Sequence, residues 1–365
     1  MRVPLSDGTL PLTYDECRAR FRRAAGVAGA GLAARSIGAR GPNGQVLTID
    51  VAAMGSPDPR RVLVVMSGVH GVEGFIGSAV QCDLLGRLDP ASLPVDVAVV
   101  LVHAVNPWGM AWWRRQNESN VDLNRNWARD RITPPHNEGY DELHPLLCPD
   151  TPEMPDPGPL VATAMAMVEQ RGIDWVRDAI TVGQYTHPDG LHFGGDHSEA
   201  STLIVEELMA GHLAGARTAL TVDLHTGHGP YGTYTLLSDQ PLGSEPDGWL
   251  RAHFDPDAVM ATEGNPGATT GTKVGQIANG LGDLMGGAEY HSTTLEFGTA
   301  ADEEQIVGTW LESWVHRHGD RDDPAHAAVV WEYRRCFTPD DPAWVLGARE
   351  QGRLVLDAAL GAVAG

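Results

Sequence analysis

Close-set cysteines are missing from this sequence. Its four, Cys17, Cys82, Cys148 and Cys336, lie far apart and form no CxxC pair. That argues against a thiolate metal cluster and a disulfide framework, and it fits a reducing compartment. Long apolar runs are missing too, since nothing reaches the ~18 residues that a membrane span needs. Basic charge is short: 26 Lys and Arg stand against 48 Asp and Glu, a formal net charge of −22. A chain this acidic repels nucleic acid and anionic membrane, so neither is an expected partner. The most apolar N-terminal stretch, residues 24–34, starts late and follows Asp15 and Glu16, unlike a secretory leader. The expected location is therefore cytoplasmic. Internal repeats and low-complexity linkers are absent as well, which points to one domain over residues 1–365.

What is present suits a large α/β core, with 42% hydrophobic residues. Residues 13–35 read as a first, Ala-rich helix. Residues 45–55 alternate like a strand, and 61–66 form a second strand apolar enough to be buried on both faces. Residues 75–88 have helical spacing, and 95–107 read as a third strand ending in a turn. Residues 129–160 break the pattern with eight prolines and read as an irregular excursion. Helices are expected again near 160–171 and 197–214, then strands at 219–224 and 292–297, and a closing helix over 341–364. Buried strands alternating with helices predict a three-layer α/β/α fold with a mixed, mostly parallel twisted sheet.

The stretch VVMSGVHGVEGF, residues 64–75, joins a buried strand to a helix through a glycine-rich turn. Its spacing is GxxGxxG rather than GxGxxG, and no acidic residue marks the end of a following strand as a dinucleotide site requires. His70 and Glu73 stand three apart, so an imidazole and a carboxylate can converge on one ion. Alone this pair is also compatible with a solvated turn. In ALTVDLHTGHG, His225 follows an apolar strand, at the end where side chains reach the crevice of an open sheet. In YHSTTLEFGT, Glu296 lies between Leu295 and Phe297, where a carboxylate is either paired or chemically employed. The segment 106–127 concentrates Arg114, Arg115 and Arg125 with Asn117, Asn120, Asn124 and Asn126 in an acidic protein. It is either an anion site or a turn laced with structural salt bridges.

Taken in order, HGVEG, NPWG, VDLNRNW, DLHTG and TLEFG resemble the zinc carboxypeptidase superfamily, which includes the aspartoacylase and succinylglutamate desuccinylase branch. The chain looks most like a bacterial branch known as DUF2817. The resemblance implies one zinc ion held by His70, Glu73 and His225. It implies Glu296 as the base that activates zinc-bound water and later passes the proton to the leaving nitrogen. Asn124 and Arg125 would grip the substrate's free carboxylate, and Asp122 would orient His70. Arg114 or Arg115 would polarise the scissile carbonyl. The implied activity is hydrolysis of an amide beside a free carboxylate, in a small peptide or an N-acyl amino acid. The alternatives are a carboxypeptidase, an N-acyl-amino-acid amidohydrolase, and a module that binds zinc and a carboxylate without catalysis. The mobile tyrosine of peptide-cleaving relatives has no counterpart at matching spacing among Tyr231, Tyr234 and Tyr290. His187, His192 and His197 read as rim or substrate contacts, His228 as a loop residue, and the tryptophans as core.

Overall fold

The computed structural model describes residues 9–263 and 273–365. Its strands are β1 (Gly31–Arg40), β2 (Val46–Gly55), β3 (Arg61–Ser67), β4 (Val97–His103), β5 (Thr218–Gly227), β6 (Tyr234–Pro241), β7 (Val259–Glu263) and β8 (Glu289–Gly298). The helices are α1 (Tyr14–Ala28), α2 (Gly74–Arg87), α3 (Pro107–Trp112), α4 (Glu138–Leu147), α5 (Pro157–Arg171) and α6 (Ile173–Thr181). They continue as α7 (Ala200–Leu213), α8 (Glu245–His253), α9 (Ile277–Gly280), α10 (Asp302–His318), α11 (Pro324–Phe337) and α12 (Pro342–Ala364).

The strands of the described residues form one mixed sheet in the order β1-β2-β4-β3-β5-β8-β6-β7. β3 runs parallel to β4 and β5, β5 to β8, and β6 to β7. β2 is antiparallel to β1 and β4, and β6 to β8. The period-2 alternation of a strand divides the core into two layers. Val62, Val64 and Met66 of β3 pack on one face with Val205, Met209 and Leu213 of α7. Leu63 and Val65 pack on the other with Ile76, Val80 and Leu84 of α2 and Val355 and Leu356 of α12. Both faces of β3 are thus apolar, which is why its run reads as continuous rather than alternating. Each such side chain removed from water contributes about 1.5–3 kcal/mol. The three layers and the mixed sheet match the expectation from sequence. No helix of the described residues is long and apolar enough to cross a membrane.

Two expectations need correction, and one stretch holds elements that the sequence pattern did not mark. The first helix stops at Ala28, where Gly29 takes the left-handed conformation at φ 70 and closes it. The rest of that alanine-rich run turns into β1, an edge strand whose outer residues stay exposed and so carry no apolar alternation. The segment 129–160 is not wholly irregular: it holds α4, with Pro145 inside it, and the start of α5. Asp156 caps α5 through the backbone N–H of Gly158, and Pro157 occupies the first turn, where no N–H is needed. Between 225 and 292, where the sequence pattern marked no element, β6 and β7 extend the sheet past β8 and the helix α8 lies between them in the chain.

Candidate metal centre

β3, β5 and β8 are parallel neighbours, so their carboxyl ends open on one edge of the sheet. Past Ser67, Gly68 turns the chain at φ +68, a conformation that favours glycine. The next turn is pressed against α3: a Cβ on Gly71 would lie 2.0 Å from the carbonyl carbon of Gly109. Val72 N donates to Arg114 O at 2.8 Å and Gly71 N to Arg115 O at 3.3 Å. The glycines of HGVEG and NPWG therefore let two turns touch through their backbones, and this docking brings Arg115 to Glu73.

His70 and Glu73 point from this turn toward His225, which lies within β5 rather than beyond it. The three are buried, and one ligand atom from each lies within 4.8 Å of the others. His70 Nδ1 is 2.9 Å from Glu73 Oε1. His225 Nδ1 is 3.0 Å from Glu73 Oε2 and 3.1 Å from His70 Nδ1. The far nitrogens are held by carboxylates, His70 Nε2 by Asp122 Oδ1 at 3.2 Å and His225 Nε2 by Asp223 Oδ2 at 2.8 Å. Donation of Nε2–H to those carboxylates leaves each Nδ1 with its lone pair aimed at the other and at Glu73. Two ring nitrogens and a carboxylate converging in one buried space suit a cation, whether a proton shared with Glu73 or a metal ion. Two imidazoles and one carboxylate, each imidazole backed by a carboxylate, fit an open divalent-metal site. Burial pushes the Glu73 carboxyl up, but His70 and His225 outweigh it and hold it below the ordinary range. For His225 burial pulls the imidazole down, and Asp223 with Glu73 raises it well above.

Glu296 stands on β8 in register with His225. Its Oε2 accepts from the backbone N–H of His228 at 3.4 Å. Burial, with Glu73 adding to it, raises its pKa against the pull of His225 and His228. The structure thus places His70, Glu73, His225, Glu296, Asp122 and Arg115 together. Asp122 caps a 3-10 turn, Leu123–Arg125, and reaches His70. Arg115 spans Glu73 Oε1 and Asp122 Oδ2, both at 3.3 Å.

Arg114 is not part of this group. It is fully buried, and its Nε donates to Glu312 at 2.9 Å while its Nη2 donates to Asn120 at 3.1 Å. Consecutive residues leaving an αL cap at Trp113 diverge, so one arginine faces the metal cluster and the other faces α10. Arg125 is held in place by backbone groups. Three of its five N–H groups go to backbone carbonyls: Val182 at 2.8 Å, Asn124 at 2.7 Å and Thr181 at 2.7 Å. Asn124 is buried beside it, with Oδ1 accepting from Ile277 N at 3.3 Å.

Of His187, His192 and His197, only His192 reaches the centre, with Nδ1 3.3 Å from Asp122 Oδ2 and a left-handed backbone at φ 52. His187 pairs instead with Asp141 at 2.8 Å, and His197 with Asp196. Tyr231 donates to Asp341 at 2.8 Å, and the Tyr290 hydroxyl lies within hydrogen-bond reach of Thr221 Oγ1 at 2.8 Å and of Ala278 O. Asp223 escaped the reading of the sequence, although its place two residues before His225 on one strand was the available signal. Tyr333 escaped it for a better reason: it is far from every motif, yet its buried hydroxyl lacks a hydrogen bond and lies near Arg115 and Glu73.

A family model described as "Protein of unknown function (DUF2817)" matches residues 11–350. Among solved structures, the chain is similar to carboxypeptidase A from Helicoverpa armigera, at 13% identity over 95% of this chain and 76% of that one, TM-score 0.46. It is also similar to a metallo-carboxypeptidase from Burkholderia cenocepacia, at 15% identity over 83% and 68%, TM-score 0.42. A third likeness is to succinylglutamate desuccinylase from Chromobacterium violaceum, at 15% identity over 81% and 72%, TM-score 0.39. No curated protein matches the sequence.

Proposed function

The chain belongs to the DUF2817 family, and we propose that it is a zinc-dependent hydrolase cleaving an amide bond next to a free carboxylate. The observation that carries this reading is the convergence of His70 Nδ1, His225 Nδ1 and the Glu73 carboxylate, each imidazole backed by its own carboxylate. These three residues would hold the ion. When bound, it supplies Lewis acidity and lowers the pKa of its water from 15.7 to about 7.

Glu296 accepts a proton from the attacking water and returns it to the leaving amide nitrogen as the C–N bond breaks. Its pKa, raised above the ordinary carboxylate by burial, suits a group that takes up and releases a proton. Arg115 directs N–H donors toward the carbonyl oxygen as charge develops there, a contribution of roughly 3 kcal/mol. Asp122 and Asp223 fix the two imidazoles in the tautomer that faces the ion. Asn124 and Arg125, on the turn that Asp122 caps, grip the substrate's free carboxylate.

A second reading, an N-acyl-amino-acid amidohydrolase, draws support from the engaged hydroxyls of Tyr231 and Tyr290. The two are separated by assaying zinc-loaded protein against peptides with varied C-terminal residues and against N-acyl amino acids. Turnover of either set, abolished by a chelator and restored by zinc, is the expected outcome. Inertness toward both, with zinc bound, leaves the non-catalytic module.

A further inference from the structure

The Asp122 carboxylate is fully buried, and four donors occupy the lone pairs of its two oxygens. Oδ1 takes Asn124 N at 2.9 Å and His70 Nε2 at 3.2 Å. Oδ2 takes Arg115 Nε and His192 Nδ1, both at 3.3 Å. His70 and Arg115 have their parts in the proposed reaction, and Asn124 N closes the turn. His192 is the donor still without a part.

The loop that carries His192 is built to hold it. Its neighbours Leu191 and Phe193 are buried, and the carbonyls of all three residues are engaged. Leu191 O accepts from Gln184 Nε2 at 3.2 Å, His192 O from Gln184 N at 3.1 Å, and Phe193 O from Asp122 N at 2.7 Å. The last of these ties the loop to the very residue that the imidazole reaches. Within that frame His192 takes the left-handed backbone, φ 52, which is uncommon outside glycine. Such strain persists where the surroundings over-determine it, and it gathers at functional sites. Burial pushes the Asp122 carboxyl up, but Arg115, then His70 and His192, hold it well below the ordinary range. It is therefore ionised and accepts only. Burial pushes the His192 imidazole down to about 4 against the pull of Asp122, so the ring keeps one proton at neutral pH. That proton sits on Nδ1, where Asp122 accepts it.

We propose that His192 is a positioning residue: by donating Nδ1–H to Asp122 Oδ2, it fixes the carboxylate on which both His70 and Arg115 are set. The inference rests on the hydrolase reading for the ion that His70 serves. One carboxylate aims two groups, and the His192 donor stops it from turning toward either. Without that donor Oδ2 belongs to Arg115 alone, and the carboxylate is free to follow the guanidinium away from His70.

The test compares His192→Phe, which keeps a ring and loses the donor, with His192→Asn, whose side-chain N–H stands close to the place of Nδ1. Asn also tolerates the left-handed backbone. Zinc affinity per folded chain is read by competition titration against a chelating dye. The His192 tautomer is read in the wild type by NMR of the ring nitrogens, its signals identified by their loss in His192→Asn. His192→Phe is expected to bind zinc about three- to tenfold more weakly, a smaller loss than that of a ligand's direct partner. His192→Asn should recover most of the affinity, and the wild-type ring should carry its proton on Nδ1. Equal affinity in all three proteins, an equal loss in both variants, or a proton on Nε2 overturns the inference. A merely structural role would lower the unfolding midpoint of His192→Phe at unchanged zinc affinity. A wild type that takes up no zinc, with the proton on Nδ1, refutes the hydrolase and keeps His192 as the donor that fixes Asp122. A zinc-binding wild type with the proton on Nε2 does the reverse.

Discussion

His225 and Glu296 face each other on β5 and β8, and the parallel ladder between those strands fixes where both side chains point. Arg114 and Arg115 are also neighbours, but they leave an irregular turn and end on carboxylates from different parts of the chain, Glu312 and Glu73. In the first region a side chain's direction follows from its position along a strand. In the second it follows from partners that lie far away in sequence. The same contrast separates Asp223, which backs His225 from two residues away, from Asp122, which reaches His70 across 52 positions. Strand ends supply a rigid donor set, while the arginine-rich turn divides its charges between holding the fold and serving the site.

The sharpest way to break this contrast is Glu296→Gln. It should keep the metal and lose turnover by ~10²–10⁴-fold, measured as kcat on whichever amide the wild type cleaves. Near-normal turnover would remove Glu296 from the chemistry. On the arginine side, Glu312→Ala leaves Arg114 as an uncompensated buried charge. The expected loss is about 3–5 kcal/mol in denaturant unfolding, with metal content per folded chain unchanged. Intact stability with lost turnover would return Arg114 to the site.

A third test compares two buried histidines near strand ends. His225 is flanked by carboxylates, whereas His103 on β4 stacks on Phe21 and exchanges its Nε2 hydrogen bond with Ser78 at 2.9 Å. Burial pushes the His103 imidazole down to about 4 from 6.5, against the pull of Asp50. The unfolded chain therefore binds a proton between pH 6.5 and 4 that the folded chain refuses, and stability falls as pH drops through that window. The loss attributable to His103 is of order 3 kcal/mol. Denaturant midpoints against pH should flatten in His103→Gln; an unchanged slope would contradict the assignment. The smallest effect is expected at the backing carboxylates, where Asp122→Asn or Asp223→Asn should weaken metal binding ten- to a hundredfold in a competition titration. Unaltered affinity in both would mean that the imidazoles need no orienting partner.

How much of this could be read in advance follows the same division. The apolar runs of β3 and β4, the turn carrying His70 and Glu73, and the positions of His225 and Glu296 are local patterns with a fixed geometric meaning. The edge strand β1 was not legible, because a half-exposed strand of Ala, Arg and Ser lacks apolar alternation. Nor were α4 and the start of α5, where prolines that read as breakers occupy a helix interior and a first turn. The fates of Arg114 and Arg125 depend on Glu312 and on the carbonyls of 181–182, contacts that no spacing announces.

The most direct measurement is metal content, determined on protein purified without chelator and reconstituted with zinc, wild type beside His225→Ala. One zinc per wild-type chain, lost in the folded His225→Ala protein, is the expected result. Absence of zinc from the wild type, or its undiminished retention by His225→Ala, would contradict the assignment of His70, Glu73 and His225 as the metal-binding set.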